Sequence, residues 1–548
     1  MCTICGHFVA GSRKIPSTDI YDMLTKMEHR GPDTHGIYLD DHIFRVKDLE
    51  ELNGTLLWKS RIALGHSRLS IVGANDRTQP YTSCDDRITL IHNGEIYNFR
   101  KLKSLLKKDH LWKTSSDSEV IVHLIEEAYE GDLLDAVRRV QWLLDGMYSL
   151  AVTDGKKVVA ARDPIGKKPL YFMENEGVTY FASEKKALLN GSNEPRWVDP
   201  GHILTIDEEG PEVVEGYHIQ MPQIDITEFD DAVSRYKQTM ARAIKKRLVG
   251  LREGTIGVIF SGGIDSVLIA KLLLNEGQNV VCYCTGTSDS GDIKAARSVA
   301  DDLGLELKTT IIDEEIVESV LPRIIEEVEE SGLLQVEVAI PMYMAARMAA
   351  EDGIRVMFTG QAADEIWAGY PWYSDVIEEH GYLKLHERLW EDLNRLYTDT
   401  LEREDKLTMA HAIELRAPYL DRDVIQLAMR VSPRLKIRGS ADKLRKRVHR
   451  QASVELGVPA YLCNRVKDPA QSGSGIHDII QKIADSSGKQ ADVELVRENI
   501  RRDKGSCFRY GRREGEYGSK RARAYLQAIE DKVRSKYIPR FPATGRGL

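Results

Sequence analysis

Cysteine is scarce in this chain: seven residues in 548, an odd number. That excludes a disulfide-built scaffold and suits a reducing compartment, so a cytoplasmic protein is expected. Long apolar runs are missing as well. No stretch approaches the roughly 20 apolar residues of a membrane-spanning helix. The opening Met-Cys-Thr-Ile-Cys-Gly lacks the basic-then-apolar order of a secretory signal. Internal repeats and long low-complexity segments are absent too. What is there, 42% apolar and 29% charged residues, is the composition of a soluble globular protein, and the length suggests two or three domains.

Positive charge is in deficit: the formal net charge is -9. Nucleic acid is therefore not the expected main partner. The deficit is uneven. Residues 501–548 carry 14 Lys and Arg against 5 Asp and Glu, an excess of nine, which leaves -18 for the first 500. A basic extension docking on an acidic body is the simplest expectation.

Residues 1–207 are rich in short β-type stretches, such as 87–92, 147–152 and 158–161, punctuated by Asn93-Gly94 and Asp154-Gly155. Helical patterns interrupt at 17–29 and 118–130. A layered α+β domain is expected. Residues 208–228 read as an acidic, Pro-containing connector. From 229 the texture changes to a long helix at 229–248, then alternating strands and helices, the pattern of a parallel, doubly wound α/β sheet. The part from 374 to about 455 is mostly helical, and 520–534 is a helix within the basic extension.

Ser261-Gly262-Gly263-Ile264-Asp265-Ser266 lies between an apolar strand and a helix. Glycines let the backbone approach an anion, two hydroxyls flank it, and the helix N-terminus presents free N–H groups. The lysine of a Walker loop is missing. Asp265 suits a divalent cation held against phosphates. A second cluster, Thr359-Gly360-Gln361-Ala362-Ala363-Asp364-Glu365, follows a later strand, so Asp265 and Asp364 are expected to face one another across a metal ion at the sheet's carboxyl edge. Cys2 follows the initiator Met; with Met1 removed, its own amine becomes a general base for its thiol. Cys2 and Cys5 form a C-x-x-C, but no second such pair and no His spacing completes a zinc set.

The glycine-rich loop resembles the signature of the PP-loop ATP pyrophosphatases. The first 207 residues resemble the class II, N-terminal-nucleophile glutamine amidotransferases in seven segments: 1–6, 29–33, 65–72, 92–98, 116–119, 144–147 and 161–166. With the matching segments of the second half, the whole is similar to the glutamine-dependent asparagine synthetase family over about residues 1–480. The resemblance implies a glutaminase domain at 1–207 and a synthetase domain at 229–500, and leaves the basic extension at 501–548 outside it. It implies that Cys2 attacks the glutamine amide, with an oxyanion hole from Asn93 and Gly94, and that Arg68, Ile71, Val72, Glu95 and Asp117 hold glutamine. Ser261, Gly262, Gly263, Asp265, Ser266, Thr359 and Gly360 would bind ATP, with Mg²⁺ at Asp265 and Asp364. Gln361, Arg403 and Lys406 would meet the acyl-adenylate, and Lys467 would steady the phosphates. Glutamine, aspartate and ATP are the implied partners, with no membrane; a homo-oligomer stays open. The best-known bacterial members carry glutamate where this chain has Gln361, so a different carboxylate acceptor is the alternative. Ammonia released into neutral water becomes unreactive ammonium, so an apolar tunnel between the sites is expected.

Overall fold

The computed structural model describes residues 2–72, 78–189, 193–251, 254–465, 474–486 and 520–534. In strand Cys2–Val9, Ile4 and Phe8 enter one apolar cluster and Cys5 and Val9 another. That is the period-two alternation of a strand buried on both faces. The strand lies within a seven-stranded antiparallel sheet, ordered Arg196–Trp197, Tyr171–Asn175, Val178–Ala182, Cys2–Val9, Ile62–Arg68, Thr34–Leu39 and His42–Val46. A six-stranded sheet faces it, ordered Gly210–Glu215, His202–Asp207, Val158–Arg162, Gly146–Thr153, Thr89–Ile96 and Tyr81–Thr82. Ile4, Phe8 and Leu64 of one sheet meet Ile91, Ala151 and Leu204 of the other. Helix Thr18–Lys26 covers the outer face of the first sheet, and helices Glu119–Ala128 and Leu133–Gln141 cover that of the second. The first half is thus a four-layer α+β sandwich.

Two expectations are corrected here. Asn93-Gly94 is not a turn: both residues lie inside strand Thr89–Ile96, opposite Ser149 and Tyr148. Local turn chemistry yields to packing, because a Cβ on Gly94 would stand 2.0 Å from the Met147 carbonyl oxygen. The stretch read as a connector also contains strand Gly210–Glu215, paired with His202–Asp207. Its acidic residues and Pro211 disguised it; proline is tolerated there because the strand is an edge.

The second half opens with helix Phe229–Leu248 and builds a parallel sheet ordered Glu306–Ile311, Asn279–Gly286, Thr255–Ile259, Val356–Phe358 and Glu414–Arg416. The chain winds to one side after Thr255–Ile259 and later to the other. The two loops that follow Thr255–Ile259 and Val356–Phe358 therefore flank the point of reversal, where ligand crevices form in such sheets. Helix Lys520–Arg534 docks by its apolar face, with Ala522 and Leu526 packed into a cluster with Leu321 and Ile480. Its pair Arg521–Asp485, at 3.4 Å, is exposed on both sides and contributes little. For this part of the extension, apolar packing outweighs the charge attraction expected of it; 501–519 and 535–548 lie outside the described residues.

The halves share one core. Leu69, Ile71, Val72, Tyr97, Met147 and Ile165 belong to the same apolar cluster as Phe260, Ile264 and Leu420.

Candidate active sites

The first site is built where the two sheets meet. Cys2 starts its strand opposite Arg68 and is 7% exposed. Its backbone N–H donates to Asn93 Oδ1 across the sandwich at 3.1 Å, and Asn93 Nδ2 donates to Ser149 Oγ at 3.5 Å. These contacts fix the Asn93 amide beside the thiol. Burial pushes the Cys2 thiol up, so an ionised sulfur needs a base at hand. Arg68 donates to the Val72 carbonyl at 3.2 Å, which holds the guanidinium over the Ile71-Val72 turn. Glu95 and Asp117 are both buried. Burial raises Asp117 to about 6 and, reinforced by Glu414 and Asp117, drives Glu95 well above the usual carboxylate range. A cation placed between them would draw both back toward the charged form. The residues expected to bind glutamine therefore gather at one place.

The second site occupies the sheet's carboxyl edge. Gly262 has φ +68°, and a Cβ there would lie 2.5 Å from the Ala296 nitrogen of helix Gly291–Leu303; only glycine passes. Gly263 caps helix Ile264–Asn275 and its carbonyl accepts from Ser266 Oγ at 3.1 Å, while the Ser261 hydroxyl lies 3.4 Å from the Gly263 N–H. Thr359 N–H donates to the Arg416 carbonyl at 3.0 Å and Gln361 N–H to Thr359 Oγ1 at 3.3 Å. Gly360 presses on the first loop: a Cβ there would be 2.9 Å from the Asp265 Cβ. Asp265 and Asp364 do come together, but across Lys446, whose Nζ lies 2.8 Å from each carboxylate. His449 Nε2 adds a contact to Asp265 at 3.0 Å. The sequence reading gave Lys446 no role, because nothing local marks it.

Gly369 closes this site from behind. A Cβ there would fall 1.8 Å from Asp364 Oδ1 and 2.2 Å from Lys446 Cε. Gly369→Ala is expected to force Asp364 and Lys446 apart and to cut ammonia-driven synthesis by at least about 100-fold, as when reacting groups move by about an ångström. Glutamine hydrolysis should persist, and measuring both activities on one preparation checks it.

Two residues expected to meet the intermediate have partners within the protein. Lys406 Nζ bonds Glu329 at 2.6 Å and the Tyr171 hydroxyl at 3.0 Å, deep between the halves. Arg403 bonds Gln335 and the Asp399 carbonyl. These contacts pack helix Glu402–Met409. Lys467 lies outside the described residues.

Between the sites the halves are bound by buried charge. Arg30 donates to Glu184 at 2.8 Å and to Asp405 of the second half at 2.6 Å, and its Nε reaches the Cys2 carbonyl at 3.5 Å. Arg162 pairs with Glu402 at 2.9 Å and Lys168 with Asp405 at 2.9 Å. Arg416 is the direct link: its guanidinium stands 3.7 Å from Glu95 and 2.5 Å from Glu414, while its carbonyl holds Thr359. The sequence reading quoted segments containing Arg30 and Arg416 without giving either a role.

A cavity of about 30 Å³ lies along this seam, lined by Tyr97 and Met147 from the first half and by Leu401, Glu404, Leu415 and Ala417 from the second. It is large enough for one small molecule the size of water. Burial pushes the Glu404 carboxyl up to about 8, against the pull of Arg403 and with a further rise from Glu365. Unfolded, the same group ionises near 4.3. Its stabilising share is therefore complete below the ordinary carboxylate range and is lost as pH rises toward 8. Glu404→Gln keeps the neutral shape. It is expected to match the parent below about pH 4 and to exceed it by on the order of a few kcal/mol near pH 9, read from urea unfolding at both pH values.

With this geometry in view, the likeness to known proteins is specific. Residues 52–207 match the family described as glutamine amidotransferase domain, and residues 235–385 and 377–507 match the asparagine synthase family. A Methanocaldococcus jannaschii protein described as a glutamine-hydrolyzing asparagine synthetase is 32% identical over 539 residues, covering 89% of this chain and 96% of its own. Asparagine synthetase 3 of Arabidopsis thaliana is 30% identical over 497 residues, covering 87% and 79%. Asparagine synthetase 2 of Oryza sativa subsp. japonica is 30% identical over 476 residues, covering 83% and 74%. Two halves joined through one core, and likeness along nearly the whole length, lead to one conclusion: the chain belongs to the glutamine-hydrolyzing asparagine synthetase family.

Proposed function

We propose that this chain forms asparagine from aspartate, with ATP and with ammonia taken from glutamine, and releases glutamate, AMP and pyrophosphate. The observation that carries this reading is the single body holding both sites, with Arg416 touching Glu95 at one end and Thr359 at the other.

In the first site the Cys2 sulfur attacks the glutamine side-chain carbonyl carbon. Asn93 and the Gly94 N–H receive the developing oxyanion, a contribution worth about 10²–10³-fold per donor in comparable acyl transfers. The carbon–nitrogen bond breaks, ammonia leaves with the proton from the thiol, and water cleaves the thioester to glutamate. In the second, a β-carboxylate oxygen of aspartate displaces pyrophosphate from the α-phosphorus of ATP. Ammonia then attacks the acyl carbon, AMP departs, and one proton must be taken up.

Asp265 and Asp364 are donors of the kind Mg²⁺ takes together with substrate phosphates, and Lys446, which bridges the two at 2.8 Å each, would have to turn toward the phosphates for the ion to enter. A bound Mg²⁺ would neutralise phosphate charge there. Lys446 and the N–H groups at the start of helix Ile264–Asn275 hold the leaving pyrophosphate. Gln361 orients but, as an amide, accepts no proton at neutral pH. The cavity at the seam is water-sized and has Lys167, Lys168, Arg247, Glu404 and Asp405 beside its apolar residues, so it is not the apolar passage expected for ammonia.

The deciding assay supplies glutamine, ATP and Mg²⁺ with and without aspartate. Asparagine and AMP formed only with aspartate support the reading. Glutamate release without aspartate-dependent pyrophosphate would overturn it in favour of another carboxylate acceptor, the reading that Gln361 favours. Among the described residues no helix is long and apolar enough to cross a membrane, and the six cysteines there are free thiols, which suits the cytoplasm.

A further inference from the structure

Far from both loops, the first half brings together one thiol, two imidazoles and a carboxylate. Cys84 sits in the turn after strand Tyr81–Thr82, His110 in the loop before helix Glu119–Ala128, and His123 and Glu126 one turn apart on that helix. Cys84 Sγ lies 3.4 Å from His110 Nδ1 and 3.8 Å from His123 Nδ1. Glu126 Oε2 lies 3.2 Å from His110 Nδ1 and 3.0 Å from His123 Nδ1. One ligand atom from each of the four falls within 4.8 Å of the others. Four donors at roughly 2.0–2.3 Å around a tetrahedral ion stand roughly 3.3–3.6 Å apart, and these separations scatter around that range.

The surroundings point the same way. Both rings turn Nδ1 toward a common point. His110 directs Nε2 at Glu127 Oε1, 3.1 Å away, the carboxylate–histidine pairing that fixes the tautomer of a metal-binding imidazole. The Leu111 N–H donates to Cys84 Sγ at 3.4 Å, a bond that steadies a thiolate. Glu127 also accepts from the Lys107 and Lys108 N–H groups at 2.7 Å each, and Glu119 accepts from Lys113 and Thr114. The loop that carries His110 is thus pinned before any ion arrives. His123 is 1% exposed, while Cys84 reaches the surface and leaves an entry route. The other group of ligand-type residues among the described ones, His29, Glu184 and Glu327, differs in kind: Arg30 and Lys186 already neutralise it.

We propose that Cys84, His110, His123 and Glu126 form a closed, four-coordinate site for a structural divalent transition ion, zinc by its donor set. Four protein ligands with no open position mark a structural zinc site rather than a catalytic one. Its place gives it a task. Helix Glu119–Ala128 begins just after Asp117, whose carboxylate accepts the Ile96 N–H at 2.7 Å, and Ser118 bonds His92 Nδ1 at 2.8 Å. An ion that ties the loop to the helix would fix the position of Asp117 and so the fit of glutamine.

The test uses the full-length protein expressed with zinc in the medium and then dialysed. Elemental analysis should find about one zinc per chain. Chelator stripping should lower Tm, and zinc should restore it. Cobalt substituted for zinc should give the intense visible bands of a tetrahedral thiolate site. Cys84→Ser should lose the ion and raise KM for glutamine several-fold, with ammonia-driven synthesis unchanged. Another first-row ion bound with the same dependence on Cys84 upholds the site and changes only the metal. The proposal is overturned if the dialysed parent holds no stoichiometric ion and zinc leaves its Tm unmoved, a result that does not depend on any variant folding.

Discussion

Cys2→Ala is expected to lose glutamine-driven asparagine formation and glutamate release together, by more than about 10³-fold, the scale seen when an acyl-transfer nucleophile is removed. Ammonia-driven synthesis should remain near the parent rate, because the phosphate loop draws nothing from the thiol. The change removes a sulfur from a strand whose backbone is already held, with the Cys2 N–H bonded to Asn93 and the strand paired to Arg68. Alanine fits that register, so Tm should move little. Parallel assays with glutamine and with ammonium salts decide it. Loss of both activities in a folded variant would contradict the separation of the two sites.

Arg30→Met is expected to have the largest effect on stability. Arg30 is fully buried. Burial opposes its charge, and Asp405 and Glu184 more than reverse that opposition. Methionine fills part of the volume but leaves two carboxylates facing each other without their cation. Lys168 still meets Asp405 at 2.9 Å and Lys186 still meets Glu184 at 2.9 Å, so neither is wholly abandoned. Breaking one partner of a buried ion network costs about 3–5 kcal/mol, and a value toward the lower end is expected here. The same bonds tie Cys2 to the second half, so the surviving folded protein should release glutamate in excess of the asparagine it makes. Chemical unfolding gives the first quantity and the glutamate-to-asparagine ratio the second. A stable variant with unit ratio would show that Arg30 carries neither task.

What the sequence could tell depended on whether the signal was local. Helix Phe229–Leu248 and strand Glu306–Ile311 were legible from periodicity, as was Gly262 from its place after a strand. Asn93-Gly94 misled because its two residues carry strong turn chemistry, while the Met147 carbonyl that demands a glycine comes from another strand. Lys446 and Arg416 were invisible as site residues: Lys446 is one basic residue in a basic stretch and Arg416 a lone one in an apolar stretch, and only tertiary packing brings them to Asp265 and Glu95. For Arg403 and Lys406 nothing local hinted at their partners Gln335, Glu329 and Tyr171, which come from distant segments. Cys84, His110, His123 and Glu126 escaped because zinc spacing rules assume ligands in close pairs, and these come from three separate segments.

The shared core of the two halves has a last consequence. Because Leu69, Tyr97 and Met147 pack in one cluster with Phe260 and Leu420, the sites do not drift on a tether, and the distance between them is a constant of the fold. The ammonia seen by the second site is then an effective concentration set by geometry, not by the pool in the surrounding water. Where free ammonia is scarce, a chain of this build that takes ammonia from glutamine would still present it at high local supply, for as long as the seam stays closed.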